Sequence, residues 1–89
     1  MEIKTIEIDC SKMTDRDAAH KYLMEAMLLP THYGKNLDAL YDCMQELPAC
    51  QIRLLNSSAL SALGAYGASL LDVFREVAEK ISRIDLIEE

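Results

Sequence analysis

Residues 29–43 read Leu-Pro-Thr-His-Tyr-Gly-Lys-Asn-Leu-Asp-Ala-Leu-Tyr-Asp-Cys, and this segment sets a turn directly before a helix. Pro30 predicts the end of a preceding helix, because the residue before a proline avoids the α conformation. Gly34 is free to take a positive φ in the turn. Asp38 and Asp42 are one helical turn apart, so their carboxylates share one exposed helix face. The segment therefore predicts an acidic surface that would meet a positively charged partner.

Strands and helices alternate on both sides of this segment. Residues 2–8 are rich in β-branched side chains and predict a strand. The apolar run 50–55 carries few polar residues and predicts a central strand buried on both faces. Thr14 is placed to cap a first helix that Pro30 ends. The other predicted elements are a loop over 31–35, helices over 36–46, 59–63 and 68–81, a turn bracketed by Gly64 and Gly67, and a strand over 83–87.

The order of these elements defines the expected fold class. It reads β-α-α-β-α-α-β, and connections of this length between strands favour parallel pairing through right-handed crossovers. We therefore expect an α/β protein with a three-stranded parallel sheet packed with helices. The 89 residues, of which 51% are hydrophobic, suffice for one domain over residues 1–89 with a single core and no metal or disulfide support.

Composition narrows the class of partner. The formal net charge is −6, which would repel a phosphate backbone and attract a basic protein. The sequence lacks an arginine-rich stripe with interleaved aromatic residues, so we expect no direct binding to nucleic acid. It also lacks an apolar segment of membrane-spanning length, and we expect no membrane association.

The cysteines indicate the redox compartment. Cys10, Cys43 and Cys50 are odd in number and show no close metal-ligand spacing. With no signal peptide at the N-terminus, they predict reduced thiols in a cytoplasmic protein. His20 lies off the main apolar stripe of the first helix and is expected at the surface.

Two other kinds of site can be drawn from the same residues. Asp38 with Asp42 could form an acid and base pair, and Cys43 with His32 a nucleophile and base. A convex acidic helix without an evident pocket is a poor catalyst, so we expect no enzyme.

His32, Asp38 and Asp42 could also hold a metal ion, but they mix ligand types and match no calcium-loop motif. We expect no metal and no cofactor. A binding module for a basic toxin or partner other than a nuclease stays open.

The loop favours protein binding over a simple solvated helix. Gly34 permits close backbone approach by a partner, and His32 and Tyr33 place rings near the carboxylates. Aromatic and charged residues around one exposed turn are typical of interface hot spots.

Residues 33–43, Tyr-Gly-Lys-Asn-Leu-Asp-Ala-Leu-Tyr-Asp-Cys, closely resemble the central motif of the barstar family of intracellular ribonuclease inhibitors. A second match is Val73-Phe74-Arg75-Glu76. The resemblance covers the whole chain in element order and is strongest over residues 29–43 and 70–76. It implies an antitoxin or immunity protein that is monomeric until it binds a secreted or toxin ribonuclease of barnase-like type 1:1. It also implies a peripheral ion pair between Glu76 and that partner.

The resemblance further implies roles for residues of the loop and the acidic helix. Asp42 would take the place of a substrate phosphate against catalytic basic groups, and Asp38 would support a second basic contact. The backbone around Gly34 and Asn36 would seal the cleft, and the ring of His32 would stack on a catalytic histidine. The full set of implied partner-binding residues is His32, Tyr33, Gly34, Asn36, Asp38, Ala39, Tyr41, Asp42, Gln45 and Glu76.

The sequence departs from the family pattern at four positions. His32 stands where tyrosine is usual, and we expect it to add a pH-dependent contact to a partner. Tyr41 and Leu47 stand in place of tryptophans, and Lys35 in place of an acid. These changes predict a reshaped rim, and they favour a related basic nuclease, or another toxin domain, over barnase itself as the target.

Overall fold

The structure is a computed structural model and describes residues 3–89. Glu2, the first residue of the predicted N-terminal strand, lies outside the described residues. Two short 3-10 helices, Cys10–Lys12 and Ser57–Leu63, supplement the main elements. The strands are Lys4–Asp9 (β1), Cys50–Leu55 (β2) and Ile84–Glu88 (β3), and the α-helices are Arg16–Ala26 (α1), Leu37–Gln45 (α2) and Ala65–Lys80 (α3).

The three strands form one parallel sheet in the order β1-β2-β3. This confirms the predicted α/β class, the parallel pairing and the central place of β2. In the register, Ile6 aligns with Ile52, which aligns with Leu86, so these three side chains point to the same face. Ile6 and Ile52 are buried and Leu86 is half-buried.

The prediction that β2 is buried on both faces is wrong. Its residues alternate between buried and half-buried positions, with Cys50, Ile52 and Leu54 inside. The opposite face carries Arg53, whose guanidinium pairs with Glu7 at 2.8 Å and with Glu89 at 2.6 Å. On this open face a single arginine therefore links β1 to Glu89.

Short polar residues begin α1 and α2. The carboxylate of Asp15 accepts a hydrogen bond from the backbone N–H of Ala18 at 2.8 Å, so Asp15 caps α1 and the prediction of Thr14 was one residue early. The side-chain oxygen of Asn36 accepts from the N–H of Ala39 at 2.8 Å and caps α2. The N-terminal end of α2, the acidic helix that carries Asp38 and Asp42, is therefore fixed by the residue directly before it.

The two glycines near the start of α3 have different roles. Gly64 has φ +59° and precedes the helix, as a turn glycine should. Gly67 was expected to close the same turn, but it is buried within the first turn of α3. A Cβ built there would lie 2.1 Å from the carbonyl oxygen of Leu60, so Gly67 lets α3 approach the 3-10 helix.

The core lies between the inner sheet face and the three α-helices. Its fully buried apolar residues include Ile8, Leu23, Leu40, Leu70, Phe74 and Val77. The three cysteines are free thiols, with Cys10 and Cys50 buried and Cys43 half-buried. Across residues 3–89, no helix combines the length and the hydropathy needed to cross a membrane.

Candidate functional site

The connection from α1 to α2 forms a tight loop beside the acidic helix. The backbone N–H of Tyr33 donates to the carbonyl oxygen of Pro30 at 3.0 Å, which closes a turn. The side-chain amide of Asn36 donates to the carbonyl oxygen of Gly34 at 3.3 Å. Asn36, which caps α2, thus also stabilises the loop, so one residue fixes both the loop and the start of the acidic helix.

Gly34 does not take the positive φ expected of it. The left-handed conformation falls instead on Lys35, with φ 55°, and Gly34 is not among the glycines in that region. A Cβ at Gly34 would lie 3.3 Å from the Cβ of Ala39 and 3.5 Å from the side-chain nitrogen of Asn36. The absence of a side chain therefore keeps the loop close against the first turn of α2.

The structure brings half of the implied partner-binding residues to one groove. His32, Tyr33, Gly34, Ala39 and Asp42 line a groove of about 270 Å³. It lies between the loop and α2, and Pro30, Cys43 and Glu46 complete its lining. His32, Gly34 and Asp42 are exposed. A partner can therefore touch the loop and the Asp42 carboxylate together.

The other implied residues do not line this groove, and they differ in exposure. Asn36, Asp38 and Gln45 are exposed along α2, whereas Tyr41 is half-buried. Glu76 is exposed on α3, and its carboxylate accepts a hydrogen bond from the ammonium of Lys80 at 2.8 Å. That pair raises the pKa of Lys80. A contact between Glu76 and a partner would compete with Lys80.

Asp38 and Asp42 carry negative charge at the site, and within the described residues neither forms an ion pair. Over residues 3–89 the ion pairs join Arg53 to two glutamates, Arg75 to Glu88 and Lys80 to Glu76, and none includes Asp38 or Asp42. Like charges one helical turn apart repel each other by roughly 0.2–0.5 kcal/mol. The face therefore remains available to an external cation.

The C-terminal end of α2 is also held. The guanidinium of Arg83 donates to the carbonyl oxygens of Leu47 at 2.8 Å and Gln45 at 2.5 Å. These contacts satisfy carbonyls that have no partner inside the helix and set a positive charge at the negative end of its dipole. Together with the Asn36 cap, they make α2 a rigid support for its carboxylates.

Tyr33 is buried and supports the loop through a contact with His20. Its side chain is only 5% exposed, so the ring is not part of the exposed cluster and only its backbone can reach a partner directly. Its hydroxyl lies 2.6 Å from Nδ1 of His20. Burial raises the pKa of Tyr33 well above its usual value, which keeps the hydroxyl protonated.

His20 is the residue that sequence reasoning misplaced. It is 2% exposed, and its two ring nitrogens contact the hydroxyls of Tyr33 and Tyr66. The prediction of a surface histidine is therefore wrong. The signal was present, since His20 precedes Leu23 by three residues and Met27 by seven, which is the spacing of one helix face. The histidine ties the loop to the start of α3.

The pH dependence of stability should reveal this buried histidine. Burial, followed by the nearby charge of Arg16, lowers the pKa of His20. The unfolded chain therefore binds a proton more readily than the folded chain, and stability falls as the pH drops below about 6.5. Thermal unfolding between pH 7.5 and 5 should show this loss. His20→Gln keeps hydrogen-bonding groups in place of the ring and should flatten this part of the profile; an identical slope in both proteins would contradict it.

The pKa of the Cys43 thiol bears on its suitability as a nucleophile. Burial, with Glu46 and Asp42 as smaller causes, raises the pKa of the Cys43 thiol. A nucleophilic cysteine needs the opposite shift. Within the part of the chain that the structure describes, no group of three or more histidine, cysteine, aspartate or glutamate side chains is placed to hold a metal ion.

The fold and this site together define a small α/β domain that presents an acidic helix and an adjoining loop on its surface. The family model described as "Barstar (barnase inhibitor)" matches residues 3–86, and the chain belongs to the barstar family. A protein of Bacillus subtilis (strain 168) named "Putative ribonuclease inhibitor YrdF" is 29% identical over 82 residues. That alignment covers 89% of this chain and 90% of the relative.

Proposed function

We propose that this protein inhibits a small basic ribonuclease by laying the acidic face of α2 and the loop before it over the active site. The observation that carries the proposal is the pair Asp38 and Asp42, which are exposed on a helix fixed at both ends and form no ion pair with any residue of 3–89. Membership of the barstar family and the name of the B. subtilis relative support a ribonuclease as the partner.

The chemistry of the partner explains the use of carboxylates. A ribonuclease stabilises negative charge on a phosphoryl group, so its active site is lined with cationic groups. Asp42 would occupy the phosphate position, and Asp38 would meet a second basic group beside it. Because α2 is held by Asn36 and Arg83, the carboxylates lose little freedom on binding.

The loop would complete the seal of the cleft. The exposed ring of His32 would stack against a ring of the enzyme, and the backbone at Gly34 would approach closely because it carries no side chain. His20 would hold this loop in shape from within through Tyr33. We place the complex at 1:1 and the inhibitor in the cytoplasm, where its three free thiols stay reduced.

The direct test is inhibition of a panel of small basic ribonucleases, including barnase-like enzymes. We expect stoichiometric inhibition of at least one enzyme, with an association rate that falls steeply as salt rises because opposite charges steer the encounter. Saturating that enzyme with a mononucleotide should block binding. Equal binding to free and nucleotide-saturated enzyme would rule out the active-site mode, and binding only to basic proteins that lack nuclease activity would rule out the ribonuclease.

A further inference from the structure

A second groove continues from the candidate site along the same side of the molecule. Its volume is about 310 Å³, and it shares Pro30, Cys43 and Glu46 with the groove beside Asp42. Beyond these shared residues the surface becomes mostly apolar. The apolar side chains that line it there are Ile6, Met27, Leu28, Leu29, Leu47 and Pro48. One continuous surface therefore passes from the carboxylates to an apolar region.

Leu28 stands at the edge of this apolar region and is unusually exposed. Its side chain is 77% exposed, more than any other large hydrophobic residue in the described part of the chain. Its φ is 54°, in the left-handed region that a leucine adopts only at a cost. The backbone N–H of Leu29 donates to the carbonyl oxygen of Met24 at 2.9 Å, which identifies the glycine-type cap at the end of α1.

The fold itself gives no reason for a leucine at this position. Glycine or asparagine would take the left-handed conformation with less strain, and a polar side chain would suit the solvent. An exposed leucine on its own is unremarkable, but one that is also strained and lies next to a binding groove is informative. A residue that breaks local preferences in this way is expected where function requires it.

We propose that Leu28 and the groove lined by Met27, Leu29, Leu47 and Pro48, which we term the apolar extension, contact the same ribonuclease. The inference rests on the proposed function and adds an apolar anchor to it. The occupant would be an aliphatic or aromatic side chain on the rim of the enzyme's basic cleft. The carboxylates would set the rate of encounter, and the apolar extension would slow dissociation.

Continuity with the acidic site selects this occupant. A protein seated over Asp42 and Gly34 also covers Pro30, Cys43 and Glu46, which belong to both grooves. Among the described residues, the charged ones that line the apolar extension are Lys4 and Glu46, so little of their charge must be desolvated there. Leu47 lines the apolar extension and is 9% exposed. The family pattern has the larger tryptophan at this position, so the groove here differs in shape from that of other family members.

Leu28→Asn tests the apolar extension because asparagine accepts the left-handed conformation. We expect an unchanged or higher melting temperature and a Kd for the inhibited ribonuclease that rises by about ten- to one-hundred-fold, the usual worth of burying one leucine. The change should lie in the dissociation rate and leave the salt dependence of association unaltered. The matched control is Ile87→Thr, which alters a 38% exposed apolar residue on the open sheet face and should leave Kd unchanged.

The outcomes separate this inference from the proposed function. If Leu28→Asn binds as tightly as the parent while Asp42→Ala does not, the apolar extension is wrong and the acidic site stands. If the parent inhibits no ribonuclease, both proposals fail. If the parent forms a dimer in analytical ultracentrifugation, Leu28→Asn is monomeric and ribonuclease affinity is unchanged, then a second copy of the chain occupies the groove and the inference is overturned.

Discussion

Replacing Asp42 by alanine should abolish tight ribonuclease binding while the fold stays intact. In the proposed complex the Asp42 carboxylate is buried against cationic catalytic groups, and removing one partner of a buried charge pair generally costs about 2–5 kcal/mol. The Kd should therefore rise by a factor of roughly 30 to several thousand. In the free protein Asp42 is exposed and in no ion pair with another residue of the described chain, so nothing inside the fold depends on it.

The thermal stability of Asp42→Ala should not fall with its affinity and could rise slightly. Alanine favours the helix more than aspartate does, and the change removes repulsion from Asp38 one turn away. We expect a melting temperature equal to that of the parent or slightly higher. Thermal unfolding followed by circular dichroism checks this, while titration calorimetry or surface plasmon resonance gives the Kd. A large fall in affinity with no loss of stability places the effect in the interface.

Two further variants separate local contact from overall charge. Asp85→Ala removes one negative charge from the exposed edge strand β3, on the open face of the sheet, and should change only the association rate at low salt. Asp42→Asn keeps the shape of the side chain and removes its charge, and it should lose most of the affinity. If the Kd of Asp42→Ala lies within about threefold of that of the parent, the phosphate-mimic role is refuted.

The sequence pattern predicted the order and extent of the main elements. These depend on the spacing of hydrophobic residues and on the positions of prolines, and both can be read directly from the sequence. Strand β2 matches its predicted range of 50–55, and α2 lies inside the predicted 36–46. The exposure of Asp38 and Asp42 followed from the spacing of Leu40 and Met44, which are fully buried. These features are local, since a helix with one apolar face must turn its charged face to solvent.

What the pattern missed depends on contacts between distant segments. His20 is buried because Tyr33 and Tyr66, from two other parts of the chain, supply oxygen partners for both ring nitrogens. No local rule could pair residues separated by 46 positions. The prediction of which loop residue has a positive φ failed for a similar reason. Lys35 has the positive φ, whereas Gly34 packs against Ala39 of α2, and this packing cannot be read from the loop sequence alone.

Gly67 shows the same limitation and allows a strong test of the packing. As a glycine near Gly64 it was predicted in a turn, yet it lies inside α3 against the backbone of Leu60. Its lack of a side chain serves the approach of two elements and not a special backbone conformation. The same short segment includes Tyr66, which contacts His20, so the packing at Gly67 also fixes the support of the binding loop.

Gly67→Ala should destabilise the protein even though it improves helix propensity. Alanine inside a helix is favoured over glycine by about 1 kcal/mol. Against this, the new Cβ would lie 2.1 Å from the Leu60 carbonyl oxygen and 3.2 Å from the Cβ of Leu63. A backbone carbonyl cannot rotate away, so the overlap should cost about 3 kcal/mol, the upper part of the usual range for overpacking. The net loss of about 2 kcal/mol corresponds to a melting temperature lower by roughly 10 °C.

Ser69→Ala gives the matched control, because Ser69 is exposed on the same helix and its change tests propensity without packing. It should raise the melting temperature slightly, while Gly67→Ala lowers it. Urea unfolding of both variants gives the free energies, and unchanged m-values would show that the native state is what changed. If Gly67→Ala were as stable as the parent or more so, helix propensity would outweigh the contact, and α3 would not be held against the Leu60 carbonyl as described. A destabilised Gly67→Ala with a stabilised Ser69→Ala would assign the loss to this single close approach, since both changes favour the helix and only one meets a backbone atom.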